Sequence, residues 1–363
     1  MRQKMSDSSD QDEKKISNQF VRACAEGRHD DVLMMLEDGA DVNQFDEGFK
    51  RGDWQSSDGH EPNSFMQNGI QMALRNKDIA LLKMLDEAGA DFDFKIDGQS
   101  IEQEDGSYIR EKVSSDLMGS AAQNGFLNGA LYLVAHKGYS FKLESAAQGA
   151  LLLSAIDGND YEFVRFLIEE QNYDAGFISE RNQRPLTKAV NAETDNKILA
   201  LILSKNIDPN YDSSVHSLYK IEFAESFKND VDELFGGFSR LKRMRDVMSK
   251  HRNTPLSSAV FNAVMESPRG IVSGALDEED DFYPERYENA LQQVKLLLQY
   301  GADPDFIDEN GVSAMDYLYD DEAITLGLVT KTNSEQIGAL LREARQNKPE
   351  IYPGHQPPKP SLN

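Results

Sequence analysis

One phrase recurs along the chain and decides most of what it can fold into. An apolar residue is followed by a pair of small residues, a turn, an apolar Val/Leu run, and then Gly-Ala-Asp-x-Asn or a relative. In the first copy Phe20, Ala23, Cys24 and Gly27 lead into Val32, Leu36 and Gly39-Ala40-Asp41-Val42-Asn43. The second runs from Ile70, Ala73, Leu74 and Lys77 to Leu82, Leu85 and Gly89-Ala90-Asp91-Phe92-Asp93. The third holds Met118, Ala121, Ala122 and Gly125, then Leu131, Leu133, Val134 and Gly138. The fourth holds Leu151, Ser154, Ala155 and Gly158, then Phe163, Phe166, Leu167 and Ile168. The fifth opens on Pro185-Leu186, Ala189 and Val190 and closes on Ile207-Asp208-Pro209-Asn210; the sixth opens on Thr254-Pro255-Leu256 and closes on Gly301-Ala302-Asp303-Pro304-Asp305. A seventh starts at Asn310-Gly311 with Met315 and Leu318 and ends around Ile337, Leu340 and Leu341. A unit of this size cannot bury an apolar face alone, so the copies must stack.

On these residues the chain resembles the ankyrin repeat family over most of 13–346. The resemblance implies an all-α fold: an ankyrin-type helix-turn-helix solenoid with hairpin loops and a helical insertion. Small residues such as Ala23, Ala121 and Ala189 let neighbouring first helices approach, and Leu and Val at helical spacing fill the layer behind. The glycine after the second helix suits a left-handed cap. The first three copies lack the Thr-Pro opening, Lys77 stands where the turn glycine belongs, and the third copy lacks Ala-Asp after its glycine.

The turns fall at Gly27, Lys77, Gly125, Gly158, Glu193, Ala263 and Glu322, and the wider gaps locate four insertions. The segment 44–63 is polar, carries Trp54, and reads as an extended loop. The segment 94–116 alternates around Asp97-Gly98 and Asp105-Gly106, which predicts antiparallel ribbons prolonging a hairpin. The segment 211–252 reads as an amphipathic helix with Leu234, Phe238, Leu241 and Met248 on one stripe and Arg240, Lys242, Arg243, Arg245, Lys250 and Arg252 elsewhere. That basic face either lies in water beside neighbouring acids or docks a partner. The segment 264–289 contains Asp277-Glu278-Glu279-Asp280-Asp281 and reads as an acidic loop. The expected organisation is a polar acidic tail at 1–12, one array over 13–346 and a proline-rich tail at 347–363, where Pro357-x-x-Pro360 arises from composition.

Thirty-eight Lys and Arg against 63 Asp and Glu give a net charge of −25. Nucleic acid and anionic membrane surfaces are therefore excluded as main partners. A single cysteine excludes a disulfide framework and a Cys-based zinc site. The first twenty residues hold no apolar run, so no secretory signal is expected and a cytoplasmic location is.

No catalytic constellation emerges. Cys24 has His29 nearby but occupies a small core position, where a thiol packs as a small hydrophobe. The six histidines are scattered without metal-ligand spacing. Asp91-x-Asp93-x-Lys95-x-Asp97-Gly98 has a lysine at a calcium-ligand position and its glycine late. No phosphate loop or nucleophile elbow is present. No catalytic residue, metal or cofactor is expected.

The resemblance implies a concave binding face. The residues assigned to it are Glu26, Arg75, Asn76, Gln123, Asn124, Asp157, Asn191, Asn262 and Asp321, with Phe45, Phe94, Tyr211 and Phe306 as finger-tip anchors. The leading reading is a non-catalytic interaction module or scaffold, monomeric, whose acidic field favours a protein partner with a basic patch. Two alternatives stand beside it: a bacterial effector acting in a host cytoplasm, and an enzyme with a site built from 211–289.

Overall fold

The structure, a computed structural model, describes residues 19–46, 67–102, 108–114, 116–179, 183–191, 193–211, 254–266, 284–308, 310–325 and 329–351. They fall into two compact units, Met1–Phe163 and Val164–Asn363. Both are built from helix-turn-helix pairs.

In the first unit, α1 (19–25) turns into α2 (His29–Glu37), α3 (Gly69–Arg75) into α4 (Ile79–Glu87), α5 (Leu117–Gln123) into α6 (Leu127–His136), and α7 (Ser145–Asp157) into α8 (Tyr161–Arg165), inside which the division falls. The turns repeat one hydrogen-bond pattern. Gly27, Lys77 and Gly125 have φ of +66°, +55° and +60°. The next amide reaches back into the first helix each time: Arg28 to Ala23 O at 2.9 Å, Asp78 to Ala73 O at 2.9 Å, Phe126 to Ala121 O at 2.8 Å. This closes the helix with a left-handed residue. In the fourth pair Asn159 (φ +52°) takes that role, one residue later than the expected Gly158. Gly158 is required for another reason: a Cβ there would lie 2.2 Å from Ala122 O.

The second helices end as the sequence predicts. Gly39 and Gly89 have φ of +91° and +85°, and Ala40 and Ala90 donate back to Met35 O and Leu85 O. The small first-helix positions Ala23, Ala73, Ala121, Ala122 and Ala155 are fully buried, as are Leu82, Leu85, Leu133 and Phe163 of the second helices. Helix starts are capped by side chains: Asn68 and Gln71 form a reciprocal capping box on α3, and Asp78 and Asp116 accept from Leu81 N and Gly119 N.

Two antiparallel hairpins project between pairs. β1 (Phe45–Asp46) pairs with β2 (Gln67–Asn68), and β3 (Lys95–Glu102) with β4 (Tyr108–Ser114). The ribbon expected over 94–116 is present, but Asp97-Gly98 does not turn it. The register shifts between Asp97 and Ser100, so this pair sits at an irregularity within the ladder.

In the second unit the helix begun by α8 continues as a π-wound turn, Phe166–Glu170, ending at Asn172 (φ +57°). Thirteen positions separate the left-handed residues Asn159 and Asn172, as they do Gly125 and Gly138, against twelve from Gly27 to Gly39. Then follow α9 (Pro185–Ala189), α10 (Asn196–Leu203), α11 (Pro255–Met265), α12 (Pro284–Gln299), α13 (Ala314–Tyr317), α14 (Asp321–Thr325) and α15 (Lys331–Ile351). Pro185 and Pro255 occupy first-turn positions, where a missing N–H costs nothing. Thr254 with Ser257, and Ser313 with Asp316, form capping boxes. α11 packs against α12 and α13 and is buried from Pro255 to Val264 except for half-buried Asn262.

Two boundaries move. Residues 284–289, expected in the acidic insertion, already belong to α12, and residues 347–351, expected in the tail, belong to α15. Pro284 stands at the first position of α12, where it interrupts no helix, whereas α15 runs on past Pro349 to Ile351.

Candidate protein-interaction surface

What holds neighbouring pairs in register is the last residue of the Gly-Ala-Asp-x-Asn phrase. Within each hairpin the Asp carboxylate accepts from the amide two residues on: Asp41 from Asn43, Asp91 from Asp93, Asp208 from Asn210, Asp303 from Asp305, at 2.8–3.0 Å. The asparagine then reaches the next hairpin. Asn43 Oδ1 accepts from Asp91 N at 2.7 Å in the first unit; in the second, Asn210 Oδ1 accepts from Asp303 N at 2.6 Å and its Nδ2 donates to Gly301 O at 2.9 Å. These bonds fix the hairpin edge, and the side chains beside it are the candidate surface.

The expected surface row is split by its own hydrogen bonds. Asn76 Nδ2 donates to Ala25 O at 2.8 Å and Cys24 O at 3.3 Å, so it staples the second turn to the first. Asn124 Nδ2 donates to Ser120 O of its own helix at 2.8 Å, and Asn262 Nδ2 to Val190 O at 3.4 Å. Asn191 O accepts from buried Gln293 at 2.6 Å, and its Oδ1 from Glu193 N at 3.1 Å. Asn124 and Asn262 are half-buried. Glu26, Arg75, Asn76, Gln123, Asp157, Asn191 and Asp321 are exposed, with Glu26 paired to Arg28 at 2.7 Å.

The row and the hairpins also lie at opposite ends of the first helices. α3 begins against β2 and ends at Arg75, seven residues or about 10 Å later. The residues before each turn thus stand a helix length away from the fingers.

The aromatic anchors are built into the scaffold. Phe94 is 7% exposed and meets half-buried Phe45 edge to face at 5.5 Å. Tyr211 Oη sits 2.5 Å from Thr187 Oγ1, and the Arg184 guanidinium covers its ring at 4.1 Å. Burial pushes the Tyr211 phenol up to about 12. Phe306 is half-buried. A ring at a loop tip packs back whenever the neighbouring finger offers apolar surface. The residues left exposed at the fingers are Ile178 and Ile307, at 50% and 59%, which the sequence reading passed over. Their signal was positional: like Phe45, each stands four residues after its hairpin Asp (Asp174, Asp303, Asp41).

Two further groups bear on chemistry. Cys24 has no exposed surface, and burial pushes its thiol up to about 12, so it carries no nucleophilic thiolate at neutral pH. Asp86 on α4 accepts from Tyr132 Oη at 2.5 Å and pairs with Lys137, both of the next layer. Burial alone would raise the Asp86 carboxyl; the Lys137 and Tyr132 bonds outweigh it and hold it below the usual carboxylate range. Among the described residues no cluster of His, Cys, Asp and Glu could hold a metal ion, and no helix is long and apolar enough to cross a membrane. The basic stripe of Arg240, Lys242, Arg243 and Arg245 lies outside the described residues, as do Trp54 and the acidic run 277–281.

Compared by sequence, the chain matches no family model and no curated protein. Among solved structures it is similar to the ankyrin repeat domain of human ASB11, at 14% identity and a TM-score of 0.45 over 94% of this chain and 99% of that one.

Proposed function

We propose that this chain is a non-catalytic protein-interaction module, a single array of ankyrin-type pairs over 13–346 that holds a protein partner along its exposed turns and hairpin edge. The observation that carries the reading is the division of labour among polar side chains. Asn43, Asn76 and Asn210 are spent on binding one helix pair to its neighbour. The neighbouring surface positions share a geometry but differ in chemistry: Glu26, Arg75, Gln123 and Asp157 at turns, Ile178 and Ile307 at fingers. A fixed frame with variable side chains suits recognition by shape and directional bonds. The net charge of −25 favours a partner whose overall surface is basic and speeds encounter at low salt.

The test is affinity capture from the native cell with the full chain, alongside a variant carrying alanine at Glu26, Arg75, Gln123 and Asp157 and a second carrying serine at Ile178 and Ile307. The reading expects at least one protein retained by the parent chain and lost by one variant with unchanged thermal unfolding. Retention of the same proteins by all three chains would refute it.

A further inference from the structure

Resting on the interaction reading above, we infer that the hairpin edge of the second unit recognises a carboxylate, through Arg184 pinned on Tyr211, in an extended segment whose acidic residue lies between apolar ones. The fingers at 174–179, 208–211 and 303–308 stand side by side. A Cβ on Gly176 would meet Ile207 Cδ1 at 3.3 Å, and Asn210 bonds Asp303 N and Gly301 O across the next junction. Ile178 and Ile307 hold the outer fingers, and Arg184 with Tyr211 the middle one.

Arg184 is anomalous in a chain this acidic. No carboxylate among the described residues pairs with it, and its Nε is buried without a hydrogen-bond partner there. Its guanidinium lies 4.1 Å over the Tyr211 ring, and Tyr211 is itself held by Thr187. Face contact with a ring leaves the in-plane N–H groups to bind, and a planar fork held in one orientation matches a carboxylate in two-pronged fashion. Holding the side chain in advance removes much of the ordering entropy that a free arginine loses on binding. Layers of packed helices repeat at about 10 Å, so the outer isoleucines stand about 20 Å apart, which about six residues of extended chain span. The recognised segment therefore carries an acidic residue with apolar residues about two or four positions to either side, on the same face of the extended chain.

The experiment is selection of a random peptide display library on the full-length chain, repeated on Arg184→Gln and Arg184→Lys variants whose thermal unfolding matches the parent. The parent is expected to enrich peptides with a central Asp or Glu flanked by apolar residues. Arg184→Gln should lose that enrichment. In fluorescence titration the best such peptide should bind Arg184→Gln about tenfold more weakly, a loss matched by the acid-to-amide change in the peptide on the parent chain. Arg184→Lys, which keeps charge but not the fork, should fall between. Selected peptides without acidic enrichment, or acidic peptides that bind Arg184→Gln as well as the parent, would overturn the inference and leave the interaction reading standing. A library that yields no binder on the parent chain would overturn both.

Discussion

Gly158 offers the sharpest quantitative test of how the first unit is packed. It closes α7 with φ −66° and ψ −10°, a conformation any residue adopts, so backbone strain cannot be why glycine stands there. Its neighbours can. A Cβ would lie 2.2 Å from Ala122 O, 2.6 Å from Gly125 N and 3.0 Å from Gln123 O, all backbone atoms that no rotamer change can move. A carbon–oxygen contact relaxes at about 3.3 Å, so Gly158→Ala must push the third and fourth turns apart by about 1 Å. Overpacking of this kind costs about 1–3 kcal/mol, and rigid backbone on the receiving side argues for the upper end. Replacing glycine returns at most about 1 kcal/mol through the unfolded chain, which leaves a net loss of about 2 kcal/mol. Gly27 is the control. It has φ +66° and nothing within 4 Å of its Cβ position, so Gly27→Ala costs only left-handed strain, about 1–2 kcal/mol less the same return from the unfolded chain, a net loss of at most about 1 kcal/mol. Urea unfolding followed by circular dichroism should therefore order the chains as parent, Gly27→Ala, Gly158→Ala. A Gly158→Ala chain within about 0.5 kcal/mol of the parent would refute the tight turn-to-turn contact.

Other expectations follow from the same contacts. Asn210→Ala removes two hydrogen bonds between neighbouring fingers, each worth about 1 kcal/mol, and should lower the urea midpoint of the second unit; an unchanged midpoint would contradict the register role. Cys24, with its thiol raised to about 12, should resist a maleimide or disulfide reagent at pH 8 and react at once in denaturant, as read by mass spectrometry. Asp86 has a folded pKa below its ordinary value. Its contribution is present above about pH 4 and is lost as pH falls through the folded value. Asp86→Asn should thus flatten the fall in stability between pH 5 and 3 in urea titrations; parallel curves for the two chains would count against the Lys137 and Tyr132 bonds.

The helix pairs were legible because their signals are local. Gly39, Gly89 and Gly301 mark second-helix ends, and small residues such as Ala23, Ala121 and Ala189 mark close approach; both follow from one residue and its neighbours along the chain. The ribbon over 94–116 was legible from alternation, while the irregularity at Asp97 depends on cross-strand register that no single strand reveals. The surface was less readable for the same reason. Asn76 and Asn262 looked like free amides until the carbonyls of Ala25 and Val190, 51 and 72 positions away in sequence, were placed beside them. Phe94 looked like an exposed tip until Phe45 met it. The fourth turn moved by one because Gly158 signals a close approach, whereas Asn159 signals the left-handed conformation. Arg184 carried no motif at all; its meaning comes from what the fold leaves uncovered.

The central claim is that exposed side chains on a fixed array of helix pairs hold a protein partner. Quantitative affinity capture from the native cell, at low and at physiological salt, tests it most directly when the parent chain is compared with the alanine variant at Glu26, Arg75, Gln123 and Asp157 and the serine variant at Ile178 and Ile307. The account predicts a protein enriched by the parent, weaker at higher salt, and lost from one variant whose unfolding is unchanged. Identical captures from all three chains at both salts would contradict it.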